Sequence, residues 1–227
     1  MTLSNTMQEY LAEAWRLAHY QEEDPSVSGA ALAEVLQVSA PAVTRMVQRL
    51  KKAGYLEHEP YRGIALTPAG ERVALQHIRR HRLVEVFLVD VMALGWHEVH
   101  DAADELGAVV SDTVLERMDA IAGYPRRCPH GEPIPTRDGR MPRISDESLN
   151  AVAVGRRLRL SRVHSHDGQL LQYLDSLELR PGARLELVAR APFSGPLHLR
   201  LGAEDCFIGP ELAAVLRVCD EDEFMLV

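Results

Sequence analysis

The stretch SGAALAEVLQVSAPAVTRMVQRLKKAG, Ser28 to Gly54, decides the fold. It reads as two helices around a break at Gln37-Val38-Ser39. Ser28 is placed to cap the first, Ala-rich helix. Ser39 caps the second, Pro41 sits just inside it, and Gly54 ends it. Val43, Val47 and Leu50 form a core stripe along the second helix, while Ala42, Thr44, Arg45, Gln48, Arg49, Lys51 and Lys52 occupy its other faces. This spacing predicts a helix-turn-helix. Small and hydrogen-bonding side chains at the N-terminal end of the second helix can approach base edges, and an arginine can take a guanine edge at two points. Loose alternation from Tyr55 to Leu66 around Tyr61-Arg62-Gly63 predicts a hairpin, with Arg62 on a wing that touches the DNA backbone. The candidate DNA-binding residues are Ser39, Pro41, Ala42, Thr44, Arg45, Arg49, Lys52 and Arg62. Five Lys/Arg against two Asp/Glu between Pro41 and Arg62 make a local +3 in a chain of net charge −8. The plainer reading is a helix pair that only packs, with solvated basic residues.

Working outward, apolar residues at Met7, Tyr10, Leu11, Ala14, Leu17 and Ala18 give Thr6 to Glu22 one buried helical face. Thr67-Pro68 opens a long helix running to about Leu94. Two more helices are expected, from Trp96 to Gly107 and from Ser111 to Ala122. From Tyr124 to Asn150, Pro125, Pro129, Pro133, Pro135 and Pro142 break any period, and the segment reads as a linker in which Cys128 is exposed. Beyond it the period changes to two. Leu158, Leu160 and Val163 mark one strand, Leu185, Leu187 and Ala189 another, and Leu197, Leu199 and Leu201 a third. Gln169 to Leu179 is a short amphipathic helix among them, and the whole suggests a small β-barrel. The expected organisation is residues 1–70 for DNA binding, a helical domain over 71–123, the linker over 124–150 and the barrel over 151–227.

Composition agrees with a soluble globular protein: 227 residues, 46% apolar and 26% charged. No run of 18 apolar residues exists to span a membrane, and Met1 to Tyr10 lacks the pattern of a secretory signal, so the cytoplasm is the expected compartment. Cys128, Cys206 and Cys219 form no CxxC pair, which argues against a disulfide framework and a thiolate zinc knuckle.

The long helix carries His77, His81 and Glu85 at intervals of four, so all three can point one way. His100 and Asp104 repeat the spacing on the next helix, with Glu105 adjacent. Two antiparallel helices presenting His, Glu and His could hold a divalent ion. Such histidines also occur on solvated faces, with Glu85 simply paired to an arginine.

The motifs taken together resemble the diphtheria toxin repressor family of metal-dependent regulators, in the long form with a C-terminal SH3-like domain. They are Glu9-Tyr10-Leu11, Ala40-Pro41-Ala42-Val43-Thr44, Leu66-Thr67-Pro68-Ala69-Gly70, Arg80-His81-Arg82-Leu83-Val84-Glu85, Val99-His100-Asp101 and Pro129-His130-Gly131-Glu132-Pro133-Ile134-Pro135. The resemblance implies a multidomain α+β chain: a winged helix-turn-helix, a helical dimerisation domain and an SH3-like small β-barrel. It implies a homodimer that binds palindromic operator DNA when loaded with Fe²⁺ or Mn²⁺. It assigns His81, Glu85 and His100 to an ancillary metal site, completed from the SH3-like domain by His166 and Gln169, with His164 and Asp167 as neighbours able to substitute. A ligand from that domain would couple its docking to metal. The family's second site falls on Glu9 and Asp104, but its usual Glu-His pair falls on Gly107 and Ala108, so it is rebuilt with Glu105 and Asp101, is weak, or is lost, with rebuilt or weak favoured. A donor set of carboxylates and imidazoles without sulfur suits Mn²⁺ ahead of Fe²⁺, while Zn²⁺ and Cd²⁺ could also bind.

Three rivals stand beside this reading. A metal-independent winged-helix regulator of a small organic ligand would have no use for the histidine pattern. A metal-dependent enzyme is disfavoured by the absence of HExxH, GxSxG and a Gly-rich phosphate loop. An adaptor binding proline-rich segments would need an aromatic groove, and the C-terminal region is poor in aromatics.

Overall fold

The computed structural model describes residues 3–20, 26–59 and 63–226. The chain forms two compact units, Met1–Arg80 with Pro135–Met141, and His81–Ile134 with Pro142–Val227.

The first unit contains α1 (Asn5–Tyr20), α2 (Gly29–Val35), α3 (Ala40–Lys52), the hairpin β1 (Leu56–Glu59) and β2 (Gly63–Leu66), and the start of α4 (Pro68–Val86). Ser28 caps α2 by accepting a hydrogen bond from the Ala31 amide at 3.0 Å. Ser39 holds the extended N-cap conformation ahead of α3 but makes no side-chain cap bond. Gly54, at φ +80°, ends that helix in the left-handed region a side chain would resist. Val43, Val47 and Leu50 pack with Leu11, Trp15, Leu32, Ile64 and Leu75 in one core. The hairpin pairs Leu56 with Leu66 and Glu59 with Gly63, which is the winged helix-turn-helix expected from sequence. Tyr61 and Arg62, placed on the wing tip, lie outside the described residues.

The second unit begins within α4. Regular α-helix ends at Val86, not Leu94, and continues as a π-turn from Phe87 to Val91. The turn is capped at Met92 and the chain leaves it through Ala93 at φ +60°, with the Leu94 amide donating to the Leu88 carbonyl at 3.0 Å. Next come α5 (Val99–Val109) and α6 (Asp112–Ile121). Trp96, expected to open α5, precedes it, and its ring is buried in the C-terminal core. That C-terminal part holds β3 (Glu147–Ser148), β4 (Arg157–Val163), α7 (Gly168–Ser176), β5 (Arg184–Arg190), β6 (Leu197–Leu201), β7 (Glu204–Ile208), α8 (Pro210–Ala214) and β8 (Leu216–Cys219). Its strands form one antiparallel sheet in the order β3-β8-β4-β5-β6-β7. Bulges between Leu160 and Arg162 and between Leu187 and Ala189 let the sheet bend around its leucine core. This is the SH3-like domain. Strands β7 and β8 and helix α8 have no clear counterpart in the sequence reading, because the adjacent apolar residues Cys206-Phe207-Ile208 and Val218-Cys219 break strict alternation.

The segment over 124–150 is not a bare linker. Cys128, His130, Glu132 and Ile134 are buried, so the expected exposure of Cys128 is corrected. Proline and glycine shape this segment, but its apolar and polar side chains find partners. Among the described residues no helix is long and apolar enough to cross a membrane.

Leu50 has no exposed surface. Leu50→Ala is expected to cost about 2–5 kcal/mol in urea unfolding, with exposed Arg49→Ala within about 0.5 kcal/mol. Equal losses would contradict the packing described for α3.

Candidate metal centre and nucleic-acid face

Residues four apart on α4 carry His81 and Glu85 onto one face, and both are buried. One oxygen of Glu85, Oε1, is the focus of the site. His81 Nε2 lies 3.1 Å from it, His130 Nδ1 3.4 Å and His100 Nδ1 3.6 Å. Ligands sharing one ion, each roughly 2.0–2.2 Å from it, stand at about such separations from one another. His81, Glu85 and His100 converge as a possible metal-binding group, and so do Glu85, Cys128 and His130. Each of the two groups fits a divalent ion on its own, and Glu85 is common to both.

His81 Nδ1 is 2.7 Å from Asp104 Oδ1, and His100 Nε2 is 3.9 Å from Asp104 Oδ2. Asp104, assigned by resemblance to a separate site, thus faces the same histidines. His166 is exposed, and its ring stacks on His100 with centroids 3.9 Å apart. Gln169 and Glu105 are exposed, Gln169 in the first turn of α7 and Glu105 on α5, and Glu105 belongs to neither convergent group. Glu9 is exposed on α1, in the other unit. Gly107 is buried and Ala108 exposed on α5, and neither offers a side-chain donor.

Cys128 and His130 were missed as donors, although the sequence carried the signal. They stand two apart around Pro129 and ahead of Gly131, which sits at φ +85° in a tight turn. Their place in a Pro/Gly-rich segment concealed them. The His130 ring is oriented by Nε2, which bonds the Trp96 carbonyl at 2.9 Å, leaving Nδ1 towards Glu85. A buried thiol beside Glu85 also corrects the expectation of a sulfur-free donor set.

Electrostatics follow from this crowding. Burial opposes a charged His81 ring, but Glu85 and Asp104 outweigh it and push its pKa up to about 9. Burial likewise opposes charge on His130, yet Cys128 and Glu85 raise it to about 10. Burial works against ionised Glu85, but His81, His100 and His130 hold it well below the usual carboxylate range. Burial first, then the Glu85 charge, pushes the Cys128 thiol up.

On the DNA-binding unit, Ser39, Pro41, Thr44, Arg45, Arg49 and Lys52 are exposed on α3 or its cap, and Ala42 is half-buried. Thr44 Oγ1 donates to the Ala40 carbonyl at 3.0 Å, which leaves the hydroxyl able to accept. Lys51 is drawn away to the His58 carbonyl on β1 at 2.8 Å.

Known proteins place this geometry. A model described as iron dependent repressor, N-terminal DNA binding domain, matches residues 2–64. The corresponding metal binding and dimerisation domain matches 67–136, and a FeoA domain matches 147–219. The chain is 29% identical to the diphtheria toxin repressor of Corynebacterium diphtheriae over 95% of its own length and 97% of that protein. A solved structure described as a manganese-dependent transcriptional repressor in complex with manganese is 34% identical, with a TM-score of 0.87 over 94% of this chain and 99% of that one. The chain belongs to the diphtheria toxin repressor family. It is a metal-dependent transcriptional repressor and not an enzyme, which removes the enzyme and adaptor readings. Within the diphtheria toxin repressor family, the iron-dependent repressor IdeR of Mycobacterium leprae is 36% identical over 59% of this chain and 56% of its own.

The raised pKa values carry a sign. Charge on His81 and His130 stabilises the metal-free fold fully below about pH 6.5 and is lost as pH rises through about 9 to 10. An incoming ion must displace those protons, so its affinity is expected to strengthen over the same window, by roughly tenfold per pH unit for each proton displaced. Calorimetry in buffers of different ionisation enthalpy should show proton release on Mn²⁺ binding, and the metal-free melting temperature should fall from pH 7 to 10. Binding without proton release would contradict the assignment.

Proposed function

We propose that this repressor is a homodimer that responds to Mn²⁺, which it binds at Glu85 with His81, His100 and His130, and that it then occupies a palindromic operator. The observation that carries this reading is the convergence of three imidazole nitrogens within 3.6 Å of one buried carboxylate oxygen. Imidazole and carboxylate donors suit Mn²⁺. Cys128 remains a neutral thiol at ordinary pH while its pKa is raised, so the hard donors dominate. The likeness to a structure described as manganese-dependent supports the same ion. Fe²⁺ is the second reading. It is favoured by a thiol within reach of the site and by relatives described as iron-dependent.

The bound ion would supply a fixed positive charge that the histidines otherwise provide as protons. His166, stacked on His100, would hold that ring in its ligating orientation. Asp104 and Glu105 are retained as candidate second-site donors on α5, with Asp104 already committed to His81.

Dimerisation has its own support. Val91 on the π-turn, Met92 just after it, Val109 on α5, and Val114 and Ile121 on α6 are large apolar side chains left exposed. A second copy would cover them. A two-fold dimer presents α3 twice, so half-sites are expected about one DNA turn apart. Ser39, Pro41, Ala42, Thr44, Arg45, Arg49 and Lys52 would meet DNA. Arg62 joins them from the wing on the sequence reading alone.

Enrichment of sheared genomic DNA with chelator, with Mn²⁺ and with anaerobic Fe²⁺ tests the reading. A palindromic site recovered best with Mn²⁺ is expected, and recovery equal with chelator would contradict it. His81→Ala should abolish the metal response. Arg45→Ala should lose about 1–3 kcal/mol of operator discrimination while metal uptake is unchanged. Ile121→Glu should give monomers by sedimentation, and an unchanged dimer would remove α6 from the interface.

A further inference from the structure

The loop that carries Cys128 and His130 is joined to the SH3-like sheet by groups that are not metal donors. Gly131 lies directly on strand β4: a Cβ there would stand 2.2 Å from the Ser161 carbonyl oxygen and 2.7 Å from the Arg162 Cα. The Val163 amide of β4 donates to the His130 carbonyl at 2.9 Å. Arg127 Nη1 donates to the Gly131 carbonyl at 2.9 Å and reaches Ser161 Oγ at 3.3 Å.

A chain of buried charge runs along the same seam. Glu132, whose side chain is 9% exposed, lies 3.3 Å from Arg82 of α4, 3.3 Å from Arg162 of β4 and 3.1 Å from His164. Arg162 also bonds Asp146 at 2.6 Å, and Asp146 accepts from Arg217 of β8 at 2.6 Å. The side chain of Asp146 is 1% exposed. Trp96 closes the seam on the apolar side, with its ring in the leucine core of the sheet and its carbonyl taking the His130 Nε2 bond.

Each carboxylate in this chain is satisfied by arginines from more than one element, so only one register of sheet on loop pairs every charge. Buried ion pairs contribute specificity of geometry more reliably than net stability, and removing one partner leaves an uncompensated charge. The apolar cover of Trp96 supplies a driving force that needs no ion.

We propose that the SH3-like domain is seated on the Cys128–Ile134 loop by these contacts alone, before any metal arrives, and that Gly131 and Glu132 are positioning residues that fix His130 for the ion. The domain then acts as a fixed wall of the site, where the sequence reading expected metal to recruit it. The positioning half rests on the metal reading above; the seating half does not.

The test uses the full chain carrying Trp15→Phe, which leaves Trp96 as its one tryptophan. Its emission and the radius of gyration in solution scattering are recorded in chelator and then with Mn²⁺. Seating predicts a buried emission maximum and the same radius in both. A red-shifted, expanded protein that contracts only on adding Mn²⁺ would overturn it. Gly131→Ala should red-shift Trp96 in chelator. Glu132→Gln, which keeps size and removes charge, should weaken Mn²⁺ binding about 10- to 100-fold with helix content retained. Wild-type emission in Gly131→Ala together with wild-type affinity in Glu132→Gln would also overturn the proposal. If the unmutated chain binds no Mn²⁺ the metal reading and the positioning half fail, and the emission in chelator still decides the seating.

Discussion

Glu85 is a carboxylate with 2% of its side chain exposed and three imidazole nitrogens within 3.6 Å of a single oxygen. A buried negative charge of this kind is costly unless it is compensated at close range. Two protons or one divalent ion can do so, and they compete for the same nitrogens. Much of the second unit exists to hold this arrangement. The π-turn ends the helix that carries His81 and Glu85, α5 delivers His100, and the loop after Pro125 delivers Cys128 and His130.

The DNA-binding unit follows a simpler logic. Val43, Val47 and Leu50 turn one face of α3 into the core, and the polar and basic side chains have no choice but the surface. The net charge of the chain is −8, so α3 is a local positive feature on an acidic protein. Nonspecific affinity for DNA should then be weak and sensitive to salt, leaving base contacts to carry the discrimination.

Periodic segments were readable because one period governs them. The helix-turn-helix, the metal helix and the leucine strands all show it, and His81, Glu85 and His100 followed from helical spacing. The loop over 124–150 was not readable, because its order comes from tertiary partners: Glu132 needs Arg82 and Arg162, and His130 needs Trp96 and Glu85. Apolar pattern favours a helix at Trp96, yet packing into a sheet distant in sequence outweighs that preference. Resemblance supplied the order of the domains, and His166 and Gln169 as ligands from the SH3-like domain, of which His166 stacks on His100. It left Cys128 and His130 without a chemical role, since only the folded chain brings them to Glu85.

An anomalous difference map from crystals grown with Mn²⁺ tests the central claim most directly. The account predicts a peak within bonding distance of Glu85, shared with imidazoles of His81, His100 and His130. Strong density elsewhere, with Glu85 left among protonated histidines, would contradict it.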